Sequence, residues 1–431
     1  TIPIVFPAVR FRPHRFHVLV ESIQRHGITN DSYHSTSLWT DTEERLVGVF
    51  KDQGMVPMRE RVRGASIERC KLVRPNDFAY NPMRINIGSI ARSTADAYLM
   101  VSPDYVVFSP ETNKIDGLFL DYLRKSEAWS AFVGNAGDGG VRIRIYFEHL
   151  ARFRFDLPPL HEQRRIAEIL SSVDDAIAAT RAVIEQTGKV KQGALERLLT
   201  KGIGHTRFKQ TEIGEIPEGW EVRRLADLAE DSRNSFVIGP FGSDLTVKDY
   251  REEGVPVVFV RDVQNDRFRW KSEVYVSREK AEKLRAHSAR PGDIVITKMG
   301  LPPGIAAEIP PSFENSIVTA DIVRLRPNTE IASSAFLALA LNGKRVADAV
   351  AEITGGQTRP KITLRDYKCI ALALPPMMEQ RHIVANTEPL KMLVERETNK
   401  LDRLKALKSA LMSDLLTGRK RVIDALPIAA E

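Results

Sequence analysis

From Ile166 to Leu198 one face of a notional helix recurs in alternating steps of four and three. Positions 166, 170, 173, 177, 180, 184, 187, 191, 194 and 198 hold Ile, Leu, Val, Ile, Thr, Ile, Thr, Lys, Ala and Leu. The same register from 383 to 415 holds Ile, Thr, Leu, Val, Glu, Leu, Leu, Lys, Leu and Leu. Such a seam belongs to a coiled coil. Each stretch predicts a helix of roughly 40 residues, about 60 Å long at ~1.5 Å per residue. One apolar seam needs a partner, and the chain carries two of matching length. An antiparallel pair is therefore expected, holding globular domains at opposite ends about a pseudo-twofold axis. Lys191 and Lys408 interrupt the seams at equivalent positions. They either set register or reach out to solvent.

Each predicted helix opens on nearly the same ten residues, LPPLHEQRRI at 157–166 and LPPMMEQRHI at 374–383, an offset of 217. Leu-Pro-Pro ends the strand before it, and the glutamate puts a carboxylate in the first helical turn, where the dipole favours it. The offset persists. Phe119 falls on Phe336, Gly139 on Gly356, Arg142 on Arg359, Ile145 on Ile362, and Leu198-Leu199-Thr200 on Leu415-Leu416-Thr417. Upstream, RPNDFAYNPM (74–83) matches RPGDIVITKM (290–299). The period is too long for a solenoid. It is a duplicated unit of domain plus helix, and the doubling implies an object met twice.

Within each copy, KLVRPNDFAYN, YVVFS, VRIRIYF, GDIVITK and DIVRLR read as strands, with short helices near FLDYLRKSEAWSAFV and SSAFLALALNGKRVADAV. The fold class expected is α+β: two globular domains with curved, mostly antiparallel sheets, joined by two long antiparallel coiled-coil helices. The boundaries read as a first recognition domain at 1–157, a first long helix at 158–202, a second domain at 203–374, a second long helix at 375–418, and a tail at 419–431. The copies differ in length before the shared Arg-Pro: Pro57 to Arg74 is half as long as Pro256 to Arg290. The extra sequence includes SREKAEKLRAH, which predicts a short helix.

Composition adds little constraint. The 43% hydrophobic share is that of an ordinary globular protein. No apolar run is long enough to cross a bilayer, and TIPIVFPAVRF lacks the basic-then-apolar order of a secretory leader. The two cysteines, Cys70 and Cys369, lie far apart and form no ligand pattern, so a cytoplasmic setting with reduced thiols is expected. A formal charge of +7 mildly favours a polyanionic partner.

The search for reactive groups comes back nearly empty. His161-Glu162 starts like a zinc-protease helix, but Arg165 stands where the second histidine belongs. Asn81-Pro82 lacks the residues of a methyltransferase catalytic loop, and no phosphate-binding loop is present. Asp104, Glu111 and Lys114 have a nuclease-like composition with the wrong spacing. No catalytic residue and no metal site are expected. What stands out instead is a pair of basic loops in each half. NPMRINIGSIARS carries Arg84, Asn86 and Arg92, and its counterpart TKMGLPPGIAAE carries Lys298. GDGGVRIRI carries Arg142 and Arg144, and its counterpart GGQTRPKIT carries Gln357, Arg359 and Lys361. Glycines let a backbone approach phosphate, and Arg, Asn and Gln present the paired donors that read guanine and adenine edges. Solvated hairpin tips are the plainer reading of any single arginine; the two-copy placement favours the functional one.

With these residues in view, the chain resembles the specificity subunit of type I restriction–modification enzymes. The resemblance rests on the doubled L-P-P-x-x-E-Q-x-x-I, on TEIGEIPEGWEV (211–222), on RPGDIVITKMG, and on GPFGS (239–243), whose Ser243 joins the expected DNA contacts. It implies two target-recognition domains, each reading half of a split site in double-stranded DNA, and two helices acting as a ruler. It also implies two docked methyltransferase subunits and further restriction–translocase subunits. S-adenosylmethionine, ATP and Mg would belong to those partners, with no cofactor and no membrane contact here. Arg164, Arg165, Arg181 and Lys189, on outward helix faces, are the expected partner contacts. A type IIB-like complex and a coiled-coil scaffold without DNA are the alternatives. The first half departs from the pattern: it opens on PAVRFRPHRF with no IPEGWE-like segment.

Overall fold

The long helices are present at Leu160–Lys201 and Met377–Leu416. The computed structural model describes residues 5–7, 13–16, 19–22, 45–58, 70–136, 144–265, 267–356 and 358–422. It divides into two compact units, Thr1–Arg181 with Asn399–Glu431, and Ala182–Thr398. Each unit thus contains one globular domain and a portion of both long helices.

In the first unit, Ile166, Ala167 and Leu170 from the start of the first long helix share a core with Leu415 and Leu416 from the end of the second. In the second unit, Leu198 and Leu199 from the end of the first helix join Ile383 and Val384 from the start of the second. Start meets end in both units, so the pairing is antiparallel at each. All ten seam positions of each helix are buried or half-buried. Lys408 does not reach out to solvent. Its Nζ lies 2.6 Å from Asp174 Oδ1 and 5.6 Å from the centre of the Tyr122 ring.

The domains are α+β and repeat one plan. A four-stranded antiparallel sheet runs Val20–Ser22, Val106–Pro110, Phe78–Tyr80, Ile90–Arg92 in the first unit. In the second it runs Phe236–Ile238, Ile322–Leu325, Ile294–Thr297, Ala306–Glu308. The sole parallel strand pair among the described residues joins Val255–Val258 to Ser316–Val318. Its counterpart is the parallel bridge between Leu46 and Met100. The turn entering each sheet is R-P-x-D. Asn76 (φ 71°) and Gly292 (φ 86°) sit in the left-handed region, which suits exactly these residue types. Asp77 and Asp293 accept the backbone N–H of Arg74 and Arg290 at 2.8 and 3.0 Å.

Two expectations are corrected. The segment VRIRIYF is not a strand where it is described: Arg144–Tyr146 is irregular and Phe147–Leu150 is a helical turn, with His149 Nδ1 accepting from Tyr146 N at 3.1 Å. Ile145 is instead a plug, fully buried in the domain core. Nor is the N-terminal opening without counterpart. Val5–Pro7 pairs with Lys420–Val422 as Gly214–Pro217 pairs with Phe208–Thr211. Likewise Pro13–Arg15 pairs with Arg154–Asp156 as Glu221–Arg224 pairs with Ala371–Leu374. Phe16 and Leu19 are buried like Leu225 and Leu228. Backbone pairing and two apolar anchors suffice for the role, which is why the sequences could part.

Candidate nucleic-acid interface

The doubled Glu-Gln is a joint. Gln163 Oε1 accepts from Asp116 N at 2.8 Å, and its Nε2 donates to the carbonyls of Lys114 and Pro158 at 3.0 and 2.8 Å. Gln380 repeats this with Ser333 N, Ile331 O and Pro375 O, all at 2.9 Å. One acceptor and two donors are what a carboxamide offers and a carboxylate does not. Each glutamine so clamps its domain to the start of its helix. Asp116 and Ser333 in turn cap the next helix, accepting from Phe119 N at 2.9 Å and Phe336 N at 3.2 Å.

The neighbouring glutamate needs donors only. Glu162 takes Arg421 in a bidentate pair at 2.7–3.0 Å and Val422 N at 3.0 Å. The carboxylate holds the Arg421 guanidinium above its ordinary pKa. Glu379 takes Trp220 Nε1 at 2.8 Å, His205 Nε2 at 2.8 Å and Ile203 N at 3.0 Å. In each unit the start of one long helix is thereby latched to the chain leaving the other.

These joints fix the domains from which the basic loops project. In the first unit the 81–89 loop crosses between strands Phe78–Tyr80 and Ile90–Arg92, turning at Gly88 (φ 95°). Pro82 O accepts from Ile145 N at 3.0 Å, so this loop lies against the segment that carries Arg144. In the second unit Lys298 O accepts from Ile362 N, also at 3.0 Å. Met299 and Lys361 form an antiparallel bridge there, and Gly300 N donates to Pro360 O at 3.2 Å. Loops more than fifty residues apart in sequence are thus joined in each unit by the same bond. Ile145 and Ile362, both fully buried, anchor them beneath.

Arg84, Asn86, Arg144, Ser243, Arg359 and Lys361 are exposed. Arg142 and Gln357 lie outside the described residues. Arg92 is half-buried and donates from Nη1 to Asn76 Oδ1 at 2.9 Å, which stiffens the R-P-N-D turn. Lys298 is half-buried, its backbone N–H bound to Asp321 O at 2.8 Å. On the helices, Arg164, Arg165, Arg181 and Lys189 are exposed; Arg165 pairs with Glu168 at 3.0 Å and Lys189 with Glu185 at 2.7 Å. Of the nuclease-like set, Glu111 and Lys114 pair with each other at 2.6 Å. Among the described residues no cluster of side chains could hold a metal, and no helix is long and apolar enough to cross a membrane.

Sequence reading missed Tyr250, Phe259 and Arg261, which with Asp321 line an open cavity of about 500 Å3 beside the Ser243 loop. Burial raises the Tyr250 hydroxyl above its usual pKa while the Arg261 charge opposes it. No motif or spacing in the sequence singled them out.

Comparison with known proteins bears on what these loops serve. The family model described as "Type I restriction modification DNA specificity domain" matches residues 66–187 and 217–406, once for each copy. The chain belongs to the type I restriction–modification DNA specificity family. A type I restriction enzyme specificity subunit of Methanocaldococcus jannaschii, MjaVIII, is 27% identical over 323 residues, 72% of each chain. The EcoBI specificity subunit of Escherichia coli is 24% identical over 280 residues, covering 61% of this chain and 57% of its own. Among solved structures, a type I restriction–modification S subunit from M. genitalium matches 95% of this chain and 96% of its own with a TM-score of 0.54 at 15% identity. A chain from work on assembly and conformational transition of the type I system covers 96% and 99% with a TM-score of 0.55 at 17% identity. Both carry the same fold. For a specificity-family chain, the doubled joint and doubled loop pair are the parts common to its two copies.

Proposed function

We propose that the protein is a non-catalytic DNA-specificity subunit in which each domain reads one half of a bipartite double-stranded site. Recognition runs through Arg84, Asn86 and Arg144 in the first unit, and through Ser243, Arg359 and Lys361 in the second, with Lys298 supporting the loop. The observation that carries this is the twofold occurrence of one junction: Ile145 to Pro82 and Ile362 to Lys298 each bring two loops with basic residues together. Donors on a clamped backbone suit base-edge reading, because the ordering cost is met on folding and not on binding. The continuous helix Leu160–Lys201 sets the spacing between half-sites. Exposed Arg164, Arg165, Arg181 and Lys189 dock methyltransferase subunits. S-adenosylmethionine, ATP and Mg reside in those partners and in the restriction subunits.

The test is a binding titration with the methyltransferase partner present. Replacing Arg84 and Arg144 together by Ala should weaken binding of the cognate duplex about 10-fold or more, for a base contact worth ~1–3 kcal/mol. Discrimination should fall in one half-site only, and replacing Arg359 and Lys361 should affect the other. Unchanged affinity in both variants would refute the assignment. A coiled-coil scaffold without DNA contact predicts binding that is flat in salt, whereas phosphate contacts impose a steep negative slope.

A further inference from the structure

The cavity beside the Ser243 loop has a construction that solvation does not require. Pro240, Gly242, Tyr250, Phe259, Arg261 and Asp321 all line it. It adjoins the loops already described, since Asp321 O accepts from Lys298 N. Arg261 is exposed, yet it is not loose. Its guanidinium carbon stands 4.4 Å from the centre of the Phe259 ring, and its Nε donates to Ser272 Oγ at 2.8 Å.

Ser272 is itself held by Asp262, the fully buried organiser of this segment. Asp262 accepts from Phe259 N at 2.8 Å, Lys271 N at 2.8 Å, Ser272 N at 3.0 Å and Ser272 Oγ at 2.6 Å. One buried carboxylate thus ties Phe259 to Lys271 and Ser272 around the arginine. With Nε used and the plane set by Phe259, the two terminal nitrogens remain as a fork of fixed direction. The hairpin inside this segment, Val263–Gln264 with Arg267–Phe268, follows the parallel strand pair as Val47–Phe50 with Gly54–Pro57 follows the Leu46–Met100 bridge.

We infer that Arg261 reads a guanine in the half-site bound by the second unit, with Asp321 accepting from the paired cytosine. In the major groove guanine offers two acceptors, O6 and N7, and cytosine a donor, N4. That pattern complements an arginine fork and a carboxylate that line one cavity. A bare phosphate carries no donor and would leave Asp321 facing like charge. The inference rests on the proposed function and goes further by naming the base pair and the residue.

The experiment uses the full chain with its methyltransferase partner, R261A and R261K variants, and modified-base sequencing of a random-sequence library. The wild type should give a bipartite motif. R261A should keep the other positions and lose one G·C preference in one block, binding the wild-type site about 10-fold more weakly. R261K, which still reaches guanine O6 and N7, should keep that preference in weakened form. An unaltered motif in R261A overturns the inference. So does a loss of affinity in R261A with no change of motif, which would make the contact one of charge alone. Thermal melting equal to wild type excludes misfolding, as expected for an exposed side chain. If the wild type itself gives no bipartite motif, the proposed function fails first and the inference with it.

Discussion

At the residue scale the joint is more demanding than the loops. Gln380 meets two carbonyls and one N–H, so Gln380→Glu turns a donor into an acceptor facing Ile331 O and Pro375 O. We expect a loss of about 3 kcal/mol, the cost of leaving such buried groups unsatisfied. Denaturant midpoints read it, and wild-type stability would contradict the clamp. Arg421→Ala leaves the buried Glu162 without its charge partner and should cost about 3 kcal/mol. Arg144→Ala should leave stability unchanged, since that side chain is exposed and makes only a 3.4 Å bond to Tyr146. The doubled decamer was legible as a signal but not as a joint. Nothing in Glu-Gln announces that its partners are backbone groups some fifty residues away and the tail beyond the other helix. Arg92 is a further case: its loop position suggested a DNA role, and its bond to the turn at Asn76 left no mark in the sequence.

At the scale of elements, period 3.5 was enough to place the long helices and their seams, because burial on one helical face follows directly from spacing. Packing, not charge, should hold the pairing. Leu170→Ala, at a fully buried seam position, should cost about 3 kcal/mol. Lys408→Leu should shift stability by less than about 1 kcal/mol, because the Lys408–Asp174 pair is partly exposed. Equal losses in the two variants by thermal or denaturant unfolding would contradict this ordering. The strand expected through VRIRIYF fails for a physical reason. Alternating Val, Arg and Ile mimic a half-buried strand, but among the described residues Ile145 is buried as a single plug with a backbone bond to Pro82.

At the scale of the whole molecule, the sequence repeat maps onto repeated topology even where identity has vanished. The Val5–Pro7 and Gly214–Pro217 strands take the same part with almost no residues in common. The plan of two α+β domains and two long helices could be read from periodicity and offset. The candidate site could be read only as loops, since their junction is made of backbone bonds that leave no residue signature. Arg261 was invisible for a related reason, its fork being set by Ser272, eleven residues on, which the buried Asp262 holds in place only once the chain is folded. The claim on which all of this depends is that one chain presents two independent readers. Selecting duplexes from a random-sequence pool with the full chain and its methyltransferase partner tests it most directly. We predict two short specified blocks separated by a constant run of indifferent base pairs. A single uninterrupted block, or no sequence preference at all, would contradict it.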